Sequence, residues 1–295
     1  MAIDDPFVMS KIASGVCGSV AALLTFFRLW KRRQRLWADD ACAAFALINL
    51  CIQTVGVFLR PLPESLSRTS RVADYYLMAF TFYTVVWFSR LSILFSIIRI
   101  HPSSSGQRRL FYIAITFFAA TIFFMTQLLW TCEPMARQRT PSWKDEASPQ
   151  CPLPRSVPIC QLVTDVFADA ILMFYPLRLF KDLLDRGLRM KLGIIFSTCV
   201  VTTVVSLVHA TYIITHAQTK EVTSAIVEGC ISLIVANIPV VVSALIPLSP
   251  ERDYIPTHSS FRIHHTRGLI RTFDTDVDSP TDSNDTSTKP EEIPS

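Results

Sequence analysis

Seven apolar stretches, each long enough to cross a lipid bilayer, fill residues 7 to about 250 of this chain. A hydrocarbon core of roughly 30 Å needs roughly 20 apolar residues in a helix. The uncharged runs include Ala41–Leu59, Leu110–Cys132 and Gly229–Pro250. Backbone groups in lipid must be bonded within their own segment, so such runs are helices. Half of the 295 residues are hydrophobic and 18% are charged, the balance of a polytopic membrane protein rather than a soluble domain. The fold class expected is therefore all-α, a polytopic seven-transmembrane-helix bundle over residues 1–250. The helices are predicted near 9–29, 39–60, 74–98, 110–131, 157–178, 192–214 and 223–247. The acidic start, Met1–Lys11 with Asp4 and Asp5, does not suit a cleaved signal peptide, so the first span is expected to stay as an anchor.

Lys and Arg are retained on the cytoplasmic side of a membrane, so the loops set orientation. The loops after spans one, three and five (31–37, 99–109, 178–191) carry 12 basic residues in 32. The opposite side (1–11, 60–72, 133–157, 216–221) carries nine in 55. The run Lys31-Arg32-Arg33-Gln34-Arg35 is the strongest single vote. The N-terminus is expected outside and the C-terminus in the cytoplasm, with the plasma membrane as the expected location. The net charge is only +4 and sits in short loops, so nucleic acid is not an expected partner. Residues 251–295 are expected to form a cytoplasmic tail, largely disordered. Its first half mixes Arg262, Arg267 and Arg271 with Phe261, Leu269 and Phe273, a composition that suits either a linker or an inner-leaflet contact. Its far end is acidic and rich in Ser, Thr and Pro. The sequon Asn284-Asp285-Thr286 would be unused there.

An ionisable group inside a membrane is costly and is a functional candidate by default. Five stand out: Arg90 in span three, Asp165 and Asp169 in span five, His209 in span six and Glu228 in span seven. Asp165 and Asp169 are four apart and share a helix face. Depth makes Asp165, His209 and Glu228 candidate neighbours, with Asp169 and Arg90 as a candidate buried pair. One reading is a polar cavity that opens outward and takes a ligand or moves a proton. The other is a set of ties that hold the bundle. Arg99 is expected to snorkel to lipid phosphates. Trp37, Trp130 and Trp143 suit interfacial anchoring. Pro176, Pro239 and Pro247 are candidate kinks.

Eight cysteines divide by place. Cys17, Cys42, Cys51, Cys199 and Cys230 fall inside spans, where thiols usually pack as small apolar groups. Cys132 and Cys151 flank the outer loop between spans four and five and are the preferred disulfide, with Cys160 as the competing partner and three reduced thiols as the alternative. No His or Cys pair has metal-ligand spacing, so no metal is expected.

The ordered set of Trp37-Ala38-Asp39-Asp40, Arg90-Leu91-Ser92-Ile93-Leu94, Cys132-x-Pro134…Trp143…Cys151, Asp165 with Pro176, and Glu228…Pro239 resembles the fungal rhodopsin-domain integral membrane proteins over roughly residues 10–250. The resemblance implies seven helices, an external N-terminus and a receptor-like role. The third-span motif commonly begins with Lys, where this chain has Arg90. Some relatives carry a cysteine-rich domain before the first span, which is not expected here. Retinal is not expected either, because a Schiff base needs a lysine within a span. Lys11, Lys31, Lys144, Lys181, Lys191, Lys220 and Lys289 all fall at span edges, in loops or in the tail. No cofactor is expected.

The function expected is that of a receptor-like protein of the lipid bilayer sensing an external small molecule or surface cue, with a cytoplasmic signalling partner at its inner loops. The alternative is a small-molecule or proton-coupled transporter with Asp165, Asp169, His209 and Glu228 as the relay. No internal transporter repeat is visible. No nucleophile elbow, His-Glu-x-x-His or phosphate loop appears, so an enzyme is not expected.

Overall fold

The long apolar runs wind into seven helices because each must satisfy its own backbone where no water is available. The computed structural model describes residues 6–59, 67–101, 103–133, 142–145, 149–179, 186–215 and 218–245. The helices are α1 (Pro6–Arg32), α2 (Ala38–Leu59), α3 (Arg68–Ile100), α4 (Ser104–Cys132), α5 (Ser156–Leu179), α6 (Arg186–Ile214) and α7 (Gln218–Leu245), with a short 3-10 turn at Ser142–Asp145. All seven are long and apolar enough to cross a membrane. No strand occurs among the described residues. By contacts the chain divides into Met1–Ser249 and Pro250–Ser295. The tail expected to be disordered, its sequon and Pro247 lie outside the described residues, as do Pro134, the 180–185 segment and the Pro176 side chain.

Helix α3 is the axis of the bundle. In its most apolar window 72% is buried, against 22% for α1. It packs on α2, α4, α5 and α7. The outer elements pair as α1 with α2, α5 with α6, α6 with α7, and α7 with α1. At one end of α3 its N-cap Ser67 accepts a 3.3 Å bond from the Ser70 N–H. Gly56 allows α2 to approach that end closely, because a Cβ there would stand 3.0 Å from Asp74 Oδ1 and 3.2 Å from Met78 Cγ.

The polarity of the bundle is inverted relative to a water-soluble protein. Leu23, Phe26, Trp30, Phe111, Ile115, Phe167 and Val204 face outward and are exposed. Arg28, Gln53, Asp165, Glu228 and Asn237 are buried. Apolar faces this extensive need lipid rather than water beside them. The core proper is aromatic, with Tyr83 and Trp87 of α3 stacked on Phe124 of α4 at 5.5 and 5.9 Å. Pro239 lies within α7. Two residues earlier Asn237 donates to both the Leu233 carbonyl at 2.8 Å and Thr25 Oγ1 at 2.9 Å, which fastens α7 to α1 beside the proline.

Candidate functional site

Four helices bring five ionisable side chains to the bundle centre. The face of α5 that carries Asp165 and Asp169 turns toward α3, and Arg90 answers both. Its Nη1 donates to Asp165 Oδ1 at 2.6 Å and its Nε to Asp169 Oδ1 at 3.0 Å. The planar guanidinium can do this because its donors form a fork, and carboxylates one helical turn apart match its span. Its other face lies 5.3 Å from the centre of the Trp87 ring. Thr202 of α6 donates to the remaining Asp169 oxygen at 2.8 Å.

Glu228 of α7 occupies the same layer. Ser206 donates to its Oε1 at 2.5 Å, and His209 Nδ1 stands 3.4 Å from its Oε2. The His209 ring stacks on Phe82 at 5.0 Å with the planes 6° apart. Asp165 Oδ2 and Glu228 Oε2 have no hydrogen-bond partner among the described residues. The layer thus holds one guanidinium, bound to two of its three carboxyl groups, while the third lies beside His209. The sequence reading had divided these residues into Asp165–His209–Glu228 and Asp169–Arg90. The geometry brings together the expected pair Asp169–Arg90 and the expected neighbours His209 and Glu228, and differs in giving Asp165 to Arg90 as well.

Above this layer, toward the end that carries Cys132, a cavity of about 80 Å³ opens among α2, α3, α4, α5, α6 and α7. Its lining includes Gln53, Tyr75, Tyr83, Gln161, His209 and Glu221. No lysine lines it. His209 belongs both to the cavity wall and to the charged layer.

The loop over this end is held down covalently and by charge. Cys132 and Cys151 form a disulfide with a Cα–Cα distance of 5.8 Å, and Cys160 is free. Trp143 packs on Tyr75 and Tyr76 with ring centres 5.5 and 6.3 Å apart. It is buried, so it is not the lipid-interface anchor that its place in a loop suggested. Arg68 pairs with Asp145 at 2.9 Å. Lys144 bonds Glu133, which also accepts from the Tyr76 hydroxyl at 3.1 Å. The Lys144 bond holds the Glu133 carboxyl below its ordinary range.

A second charged cluster sits at the opposite end, and the sequence reading gave it no role. Arg28 of α1 is fully buried and donates to Asp40 Oδ1, Asp39 Oδ2 and the Ala236 carbonyl of α7, each at 2.9 Å. Arg32 adds further bonds to both aspartates. Ser92 and Ser96 of α3 donate to the Asp39 carbonyl at 2.8 Å and to Asp39 Oδ2 at 2.9 Å. Arg99 lies 3.8 Å from Asp39, so it faces this cluster instead of reaching only for lipid phosphate. The signal available was the pair Asp39-Asp40 at a helix start, one loop after a basic residue set inside an apolar run.

Comparison with known families matches residues 24–251 to the fungal rhodopsin domain. No curated protein matches the chain. The match takes in Arg28, both aspartate clusters, the disulfide and Glu228, and with seven membrane-length helices it makes this a multi-pass membrane protein that belongs to the fungal rhodopsin-domain family.

Proposed function

We propose that the protein is a receptor-like sensor of the plasma membrane. Its ligand enters the cavity under the disulfide-held loop, with that end and the N-terminus outside and the C-terminal segment in the cytoplasm. The observation that carries this is the double membership of His209. A ligand touching the His209 ring also acts on Glu228, and through the shared layer on Arg90, Asp165 and Asp169, which tie α3, α5, α6 and α7. A ligand that binds one helix arrangement better than another shifts the population by that difference in affinity. The disulfide supports an outward-facing loop, and the basic 31–35 run supports a cytoplasmic opposite end. The cytoplasmic partner would meet the loops at that basic end. The role is non-enzymatic.

A solvatochromic probe on Arg33→Cys, at the exposed turn after α1, tests the reading in nanodiscs. Compounds that stabilise the protein should shift its emission, and Ala225→Trp, which fills the cavity, should remove both effects. Stabilisation without any shift would refute sensing.

The two open carboxylate oxygens favour a second reading, a proton-coupled carrier. It requires saturable uptake of a compound into proteoliposomes, driven by a pH gradient and lost in Glu228→Gln. Sensing requires no uptake.

A further inference from the structure

Three side chains that line the cavity, Tyr83 of α3, Gln161 of α5 and His209 of α6, are 5%, 6% and 4% exposed. The Tyr83 hydroxyl, the Gln161 side-chain amide and His209 Nε2 have no hydrogen-bond partner among the described residues, and none of them is sealed in packing. Gln53 differs, because its unmet Oε1 is closed off from the cavity. The three groups stand at one level. Phe82 stacks on the His209 ring at 5.0 Å, which brings Tyr83 to that depth. Thr202 bonds Asp169, and His209 and Gln161 lie about 10 and 12 Å from those two toward the Cys132 end, at roughly 1.5 Å per helical residue.

Buried polar groups without partners are costly, and a guest that answers them removes that cost. Their chemistry says which guest. His209 Nδ1 faces Glu228 Oε2 and Ser224 Oγ, both at 3.4 Å. Ser224 gives its own hydrogen to the Glu221 carbonyl at 2.9 Å, so both neighbours of Nδ1 are acceptors. The ring proton therefore sits on Nδ1, and Nε2 offers the cavity a lone pair. Tyr83 and Gln161 can each donate. One acceptor and two donors match a hydroxyl group, which gives one hydrogen bond and accepts two. An ion fits worse: Glu221 lines the cavity but has a partner of its own, so a lone charge would go unpaired. Drug-sized ligands occupy pockets of roughly 300 Å³ or more, so a cavity of about 80 Å³ suits only a few heavy atoms.

Resting on the sensor reading and its cavity, we propose that the ligand is a small neutral alcohol. Its hydroxyl hydrogen goes to His209 Nε2, its oxygen accepts from the Gln161 amide and the Tyr83 hydroxyl, and its short alkyl group lies against Ile213 and Ala225. A ketone has the oxygen without the hydrogen, and an alkylammonium has hydrogens without a lone pair, so both bind less well.

The test uses the full chain in nanodiscs with ethanol, propanol, acetone and propylammonium as probes, read by ligand-observed NMR. Ala225→Trp, which fills the cavity, is the blank for partition into lipid. Ethanol or propanol should saturate with a Kd of about 1 mM, the range open to a ligand of so few atoms. Acetone and propylammonium should bind at least about tenfold more weakly, as a buried partner left unmet implies. Gln161→Leu and Tyr83→Phe each remove a polar group that the described residues leave unbonded, so the unliganded melting temperature should not fall, while alcohol binding weakens about tenfold. No saturable alcohol binding above the blank, or acetone bound as tightly as propanol, overturns the proposal. Equal binding of propylammonium overturns the neutral class. Unchanged alcohol binding in both variants overturns the site. The sensor reading stands or falls separately. If an alcohol binds and the Arg33→Cys probe does not respond, the alcohol assignment holds and sensing fails. If another compound stabilises the protein and shifts the probe while no alcohol binds, sensing holds and the alcohol assignment fails.

Discussion

Replacing Arg90 by Met should be among the most damaging single changes in this protein. Asp165 and Asp169 are 1% and 5% exposed, and Arg90 is the cation that both contact. Removing one partner of a buried ion pair leaves an uncompensated charge and costs about 3–5 kcal/mol. At 1.4 kcal/mol per factor of ten, that is a shift of about 100-fold or more in the unfolding equilibrium. The same reasoning predicts a rescue. Arg90→Met combined with Asp165→Leu, Asp169→Leu and Glu228→Gln removes every carboxylate that shares the layer together with its cation, and apolar replacement of a buried ion pair is neutral or stabilising. Thr202 loses its carboxylate acceptor in that variant but keeps the Cys199 carbonyl at 2.9 Å, so it is not stranded. Arg90→Lys should fall between, because an ammonium keeps the charge and gives up the fork; losing one charged hydrogen bond costs about 1.5–3 kcal/mol. The assay is reversible unfolding by SDS in mixed micelles, followed by tryptophan fluorescence. A loss below about 1 kcal/mol in Arg90→Met, the level of a solvent-exposed pair, would refute the claim that the triad is a dry ionic tie.

Three further outcomes follow from the same structure. Cys132→Ala with Cys151→Ala frees a loop of 19-residue separation and should cost about 3 kcal/mol in the chain-entropy model, read as a lower melting temperature that dithiothreitol reproduces in the native chain. Arg28→Ala should destabilise by about 3–5 kcal/mol and Arg32→Ala by clearly less, measured in the same SDS titration, because Arg28 is fully buried and joins α1, α2 and α7 while Arg32 is partly exposed. Glu133 has a folded-state pKa below its unfolded value, so its contribution is present above the ordinary carboxylate range and is lost as pH falls through the folded value. Protection of the Ser142–Asp145 turn amides, taken as the exchange rate relative to the unfolded chain at the same pH, should therefore fall on acidification below the ordinary carboxylate range, and Lys144→Ala should abolish that acid response.

The bundle was legible because lipid makes length and polarity nearly sufficient: an uncharged run such as Leu110–Cys132 has no alternative to a helix. The central layer was legible residue by residue, since a charge inside such a run stands out, but its pairing was not. Depth grouped Asp165 with His209 and Glu228 and left Asp169 to Arg90, whereas Arg90 takes both aspartates because they share a face one turn apart. Three features escaped for different physical reasons. Asp39 and Asp40 sit at a helix start, where acidic residues are ordinary, and only the three-dimensional approach of Arg28 buries them. Gln53 is neutral and so draws no notice by charge; its significance lies in an unmet acceptor. Trp143 belongs to a loop whose fold-back onto Tyr75 is set by the disulfide and by Lys144 with Glu133, none of which leaves a periodic trace.

The two charged clusters also say how the bundle can move. The cluster under the cavity joins α3, α5, α6 and α7, and the Arg28 cluster joins α1, α2, α3 and α7. Only α3 and α7 belong to both. A small slide of either helix stretches several charge-assisted bonds at once, and without water these bonds have no substitute partners. Intermediate positions are therefore costly, and stable arrangements are those in which a whole set of bonds is remade. That is the bistability a sensor needs. Pro239 lies in α7 between Glu228 and the far end of that helix, and Asn237 and the Ala236 carbonyl beside it are held by Thr25 and Arg28 of α1. The proline leaves the Val235 carbonyl without its usual i+4 donor, so the bend energy of α7 is lowest there. Thr25→Val deletes the Asn237 contact without touching a charge. It should loosen α7 on α1 at the proline, seen as a broader distance distribution between spin labels on α1 and α7, with the Arg90 layer unchanged. An unbroadened distribution would show that the charges alone, and not the clamp beside Pro239, fix the position of α7.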